Sequence, residues 1–134
     1  MNPDLRWKQR FQNFEKSFRV LERRIDEYEG QPEMEAFQMA LVQSFEIILE
    51  LSWKLLKDYL ENEGLKTTTP KSVIRLAFQS EIISDGAAWM DALKQRNMTS
   101  HTYDEEIARQ VITFVHKIFY PLACQLYADL KREL

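Results

Sequence analysis

Trp7, Phe11, Phe14, Phe18, Leu21 and Ile25 recur at spacings of three and four, so they form one stripe on a long amphipathic helix. Asn2-Pro3-Asp4 opens that helix, because Asn2 has a capping side chain and Pro3 suits the first helical position. Gly30 and Pro32 close it. A second helix is expected from about Glu33 to Glu63, ended by Gly64. Its later turns are apolar around nearly the whole circumference, through Val42, Phe45, Ile47, Ile48, Leu49, Leu51, Trp53, Leu55, Leu56, Tyr59 and Leu60. Such a helix must be covered on more than one side. A bundle covers one side, and a second copy of the chain is expected to cover the other.

Thr69-Pro70 caps a short helix from Lys71 to about Glu81, and Ser84-Asp85-Gly86 forms a turn. Another short helix follows from Ala87 to about Met98, through Trp89, Met90 and Leu93. Thr102-Tyr103-Asp104-Glu105 fits a capping box, with Thr102 as cap and Glu105 three residues on. The last helix then runs on Ile107, Val111, Phe114, Val115, Ile118, Leu122 and Leu126, with a kink at Pro121. The expected architecture is all-α: a single domain over residues 1–134, folded as an antiparallel up-and-down four-helix bundle with one element split into two short helices, and dimeric.

Composition narrows the possible functions. A chain of 134 residues supports one core, and three Gly with four Pro are too few for the turns of a sheet protein. A net charge of −3 excludes a general nucleic-acid coat, so any RNA contact must be local or shared with another chain. With Cys124 as the single cysteine, one chain has neither a disulfide framework nor a thiolate zinc site, and no metal or cofactor is expected. No signal peptide opens the chain, and Glu46, Glu50 and Lys54 interrupt its most apolar stretch. The expectation is a soluble cytoplasmic protein without a membrane segment.

The candidate chemistry lies between two helices, in Arg96-Asn97-Met98-Thr99-Ser100-His101-Thr102-Tyr103. The capping box puts His101 just before a helix N-terminus, whose free N–H groups and dipole attract anions. Arg96 offers a planar fork of donors for phosphate, and His101 can exchange a proton near neutral pH. Together they could promote attack by an RNA 2′-hydroxyl on its neighbouring phosphate without a metal, His101 as general acid or base and Arg96 stabilising charge. On spacing alone the plain reading stands beside this one: five residues apart on a regular helix, Arg96 and His101 diverge, and each could be an ordinary surface residue. Glu46, Glu50, Lys54 and Lys57 are three or four apart on the second helix, which suits either intrahelical ion pairing or a role lining a cleft. Asn97 could bind a phosphate or cap a helix end, and Asp104 flanks the motif. Trp7, Trp53 and Trp89 are expected in the core.

Arg96-x4-His101-x-Tyr103 resembles the R-x4-6-H motif of HEPN domains, in the R-x4-H-x-Y form of small HEPN subunits encoded beside minimal nucleotidyltransferases. Arg6-Trp7-x3-Arg10-Phe11, Phe45-Glu46-x3-Glu50-Leu51-x-Trp53-Lys54-x2-Lys57 and Asp85-Gly86-x2-Trp89 are similar to the nucleotidyltransferase substrate-binding branch of that family. The likeness covers essentially the whole chain. It implies a four-helix bundle that dimerises with its two R-x4-H motifs meeting at a cleft, and a nucleotidyltransferase partner, often in a heterotetramer. In one branch the HEPN subunit is an RNase toxin, and the nucleotidyltransferase silences it by adding AMP to the motif tyrosine, here Tyr103. In another reading the subunit is not catalytic and binds a substrate or nucleotide for the transferase. A helical scaffold without activity is a third possibility.

Overall fold

A computed structural model describes residues 1–134. Every regular element is helical: α1 Pro3–Gly30, α2 Glu35–Asn62, α3 Pro70–Gln79, α4 Gly86–Met98, α5 Glu105–Phe114 and α6 Tyr120–Lys131. A 3₁₀ turn at Thr99–His101 joins α4 to the loop before α5, and a π turn at Val115–Phe119 joins α5 to α6. α1, α2 and the α5–α6 rod are the three long elements of the bundle, and α3 with α4 make the fourth. No helix is long and apolar enough to cross a membrane.

Local chemistry sets most boundaries. The Asn2 side chain accepts the Leu5 N–H at 2.8 Å, with Pro3 in the first turn. Thr69 accepts from the Ser72 N–H while Ser72 Oγ accepts from the Thr69 N–H, a reciprocal box with serine in place of the usual acid. Asp85 caps α4 through Ala88 N–H at 3.0 Å. Gly64, with φ +85°, ends the descent of α2 in a conformation that a Cβ disfavours.

The start of the last long element differs from the sequence expectation. Its cap is Asp104, not Thr102: Asp104 Oδ1 accepts from Glu106 N–H at 2.9 Å and Ile107 N–H at 3.2 Å. Thr102 instead donates its hydroxyl to the Thr99 carbonyl at 3.2 Å and holds the 3₁₀ turn. A carboxylate outcompetes a hydroxyl here because it also neutralises the positive end of the helix. The kink expected at Pro121 takes the form of the π turn just before it, where Tyr120 N–H reaches back to the Val115 carbonyl.

Each residue of the α1 stripe is buried, and α2 adds Leu41, Phe45, Ile48, Leu49, Leu55, Leu56 and Leu60. Phe119, in the π turn, meets Phe45 edge-on at 4.9 Å and Trp89 at 5.7 Å, so the widened turn seats a ring where three elements meet. Trp7 and Trp89 are core residues as expected, whereas Trp53 is half-buried. The buried hydroxyls of Ser44 and Ser52 donate to carbonyls of their own helix. α2 is not fully covered: Ile47 is 51% exposed and Leu51 half-buried, leaving apolar surface beside Glu50.

Candidate functional site

The end of α4 turns over the outer side of α2, and the sequence-proposed residues gather there. Arg96 sits in the last turn of α4, and its Nη1 forms an ion pair with Glu50 Oε2 at 3.1 Å. Glu50 also accepts from the Trp53 indole N–H at 3.1 Å and pairs with Lys54 at 3.2 Å. Burial pushes the Glu50 carboxyl up, but the Trp53 hydrogen bond, the Lys54 contact and the charge of Arg96 outweigh it and hold it below the usual range. One turn earlier on α2, Glu46 accepts from the Thr99 hydroxyl at 3.1 Å. Thr99 Oγ1 also lies 2.7 Å from the Arg96 carbonyl, so the 3₁₀ turn is tied to α4 and to α2 together.

This turn is what separates the motif from a continuous helix. His101 ends it, exposed, and its carbonyl accepts from Asp104 N–H at 3.0 Å. Tyr103 follows, 84% exposed, with its ring edge-on to His101 at 6.0 Å. Asn97 is exposed on the last turn of α4. The junction therefore presents a guanidinium anchored on α2, a free imidazole and a free phenol in one short segment.

Two sequence expectations are refined. The N-terminus of α5 is not open to a foreign anion, because the Asp104 carboxylate already occupies its N–H groups and Glu105 and Glu106 fill the first turn. On the charged row of α2, Glu46 and Glu50 reach across to the motif segment, while Lys54 pairs within the helix to Glu50. Lys57 lies further along, pairing with Glu61 at 3.7 Å, and Glu61 in turn binds Arg6 at 3.0 Å. No cluster of His, Cys, Asp and Glu has the size to hold a metal ion.

Sequence reasoning gave Arg10 no physical role, only a place in a family motif. The structure sets its Nε at 2.9 Å from Asp58 Oδ2, inside the α1–α2 interface. A buried aspartate on an apolar helix was the signal that could have prompted a search for its cation.

The family model "Nucleotidyltransferase substrate binding protein like" matches residues 9–132. The chain belongs to this family. Among family-like proteins, the probable ribonuclease HepT of Haemophilus influenzae is 36% identical over 75 residues, spanning 52% of this chain and about half, 51%, of that relative. A crystal structure of a Thermus thermophilus protein superposes with a TM-score of 0.77 at 30% identity, covering 89% of this chain and 99% of that one. HI0074 of Haemophilus influenzae, described as having the fold of a substrate binding domain of a nucleotidyltransferase, gives 0.79 at 26% identity, covering 90% and 98%. The HEPN-type likeness read from the motifs and the helical bundle both agree with these matches.

Proposed function

We propose that this nucleotidyltransferase substrate-binding family member is a metal-independent endoribonuclease subunit that works as a homodimer beside a nucleotidyltransferase, with Arg96 and His101 catalytic. The observation that carries the reading is the Glu50-anchored Arg96 followed, across one 3₁₀ turn, by an exposed His101. His101 as a neutral imidazole takes the proton from an RNA 2′-hydroxyl, and the freed oxygen attacks the adjacent phosphorus. The bond to the 5′-oxygen breaks, leaving a 2′,3′-cyclic phosphate and a 5′-hydroxyl end. Arg96 stabilises the charge on the phosphate oxygens. General acid–base catalysis by one imidazole contributes roughly 10²–10⁴-fold. A second copy, docked on the uncovered Ile47 and Leu51 of α2, supplies a second His101 to protonate the leaving oxygen. Asn97 and Lys54 border that cleft, and Asp104, Glu46 and Glu50 support it.

Tyr103 is the acceptor of AMP from the partner nucleotidyltransferase. Its exposure leaves it accessible to another enzyme, and a phosphate-bearing group there would place bulk and negative charge beside His101 and repel an RNA phosphate. The same subunit could instead offer a substrate or nucleotide to the transferase without cutting RNA, a reading favoured by the family description and by the description of HI0074.

The deciding experiment incubates purified protein with RNA, with and without His101→Ala. Cleavage giving cyclic phosphate ends that disappears in the variant supports the nuclease. Intact RNA in the presence of the native dimer leaves the binding subunit. Adding the nucleotidyltransferase with labelled ATP should label the native chain and not Tyr103→Phe.

A further inference from the structure

Arg96 must be in one place when the phosphate arrives, yet its side chain is long, leaves the last turn of a short helix and is 44% exposed. An unrestrained arginine carries rotamer entropy that binding would have to remove. Here a relay across two helices restricts it in advance. The Trp53 indole N–H and Lys54 fix the Glu50 carboxylate from within α2, and Glu50 then engages Arg96 on α4. Because α2 contributes much of the core, the foundation of this relay is rigid.

The form of the Glu50–Arg96 contact decides what it does. A carboxylate competing with phosphate would take the guanidinium edge-on with two parallel bonds. Glu50 instead meets a single nitrogen, Nη1, at 3.1 Å in an ion pair without an aligned hydrogen bond, and so leaves the N–H donors of the guanidinium for phosphate oxygens. Trp53 Nε1 donates to the same Oε2 atom, so the carboxylate is held back against its own helix.

We propose that Glu50 is a positioning residue for RNA cleavage: it touches no substrate, and it holds the Arg96 guanidinium with its free edge toward the scissile phosphate. This inference rests on the endoribonuclease reading. Its opposite, a carboxylate that must be displaced before RNA binds, predicts effects of the other sign.

The test is Glu50→Gln, compared with native protein at matched melting temperature. A tenfold fall in kcat with KM changed less than twofold is expected. In an Arg96→Ala background the same substitution should cause no further loss, because the relay then has nothing to hold. Trp53→Phe, which keeps the Glu50 charge and removes its indole donor, should give a smaller fall in kcat and guards against a fold defect in the first variant. An unchanged kcat, a rise in kcat/KM, or losses that multiply with Arg96→Ala would overturn the proposal. A second readout needs no activity. The ¹⁵N side-chain NMR signal of Arg96, assigned by its loss in Arg96→Lys, should be sharp in native protein and broadened in Glu50→Gln. If native protein does not cut RNA, the nuclease reading fails and the role in cleavage falls with it, whatever the signal does; if native RNA cleavage is robust and the signal is unmoved, the positioning alone fails.

Discussion

Replacing Arg10 with alanine removes the partner of a carboxylate that is 3% exposed and sits 2.9 Å from the guanidinium. Asp58 cannot turn to water, because it lies where α1 packs on α2 between buried Leu55, Leu56 and Leu60. The loss is therefore larger than that of a surface pair. Breaking a fully buried ion pair by removing one partner costs about 3–5 kcal/mol, most of it the stranded charge rather than the lost attraction, and because the Arg10 side chain is 34% exposed the lower end of that range applies here. Against a total stability of about 5–15 kcal/mol this is a large fraction. At roughly 3–4 °C per kcal/mol for a chain of this size, the melting temperature should fall by about 10 °C. Removing both partners, in Arg10→Met with Asp58→Leu, should recover much of the loss, since two apolar side chains can pack where two charges stood. Urea unfolding followed by circular dichroism measures all three variants against native protein. A cost below ~1 kcal/mol for Arg10→Ala, or a double variant as unstable as the sum of the singles, would refute the claim that burial of Asp58 sets the magnitude.

Asp104→Ala strips the cap from α5 and should cost ~1 kcal/mol in the same unfolding measurement, whereas Thr102→Ala should cost less, the reverse of what the capping box in the sequence implies. Glu15 accepts from the Tyr127 hydroxyl at 2.6 Å and from Lys131 at 3.0 Å, and these contacts hold its carboxyl below the ordinary range. A lowered folded-state value means that the stabilisation is present above the unfolded value of 4.5 and is lost as pH falls through the folded one. Thermal melts from pH 6 to pH 2 should show Glu15→Gln losing less stability below about 4.5 than native protein does, and parallel curves would contradict this. Ile47→Asp should leave the stability of the isolated bundle within ~0.5 kcal/mol of native, because the side chain is half exposed. Light scattering after size exclusion should nevertheless report a monomer, with cleavage lost; a persistent dimer would move the interface elsewhere.

The fold was readable wherever one helix decides its own fate. The α1 stripe from Trp7 to Ile25 is buried residue by residue, since a spacing of three and four has only one geometric outcome on a helix. The α5 boundary was misread because two cap signals overlap: Thr102-x2-Glu105 fits the box, but Asp104 with acids directly after it is stronger at a positive helix end. The π turn had no local signature beyond Pro121. It depends on where Phe119 finds room between Phe45 and Trp89, which belongs to the packed core and not to the segment itself.

The site divides along the same line. Its residue types and their order were visible, because the loop between two helices is short and Arg96, His101 and Tyr103 stand out in it. What periodicity could not give was the partner of Arg96. Spacing on α2 pointed to intrahelical pairs, and Lys54 with Glu50 and Lys57 with Glu61 are indeed such pairs. The same Glu50 has a second oxygen and a side facing α4, and only the packing of the two helices converts that spare capacity into a hold on Arg96. Glu46 repeats the arrangement one turn away with Thr99. Glu46 and Glu50 stand in the most apolar stretch of α2, where their side chains reach Thr99 and Arg96 across the interface, so the charges that interrupt that stretch are the ones that tie the motif segment to the helix.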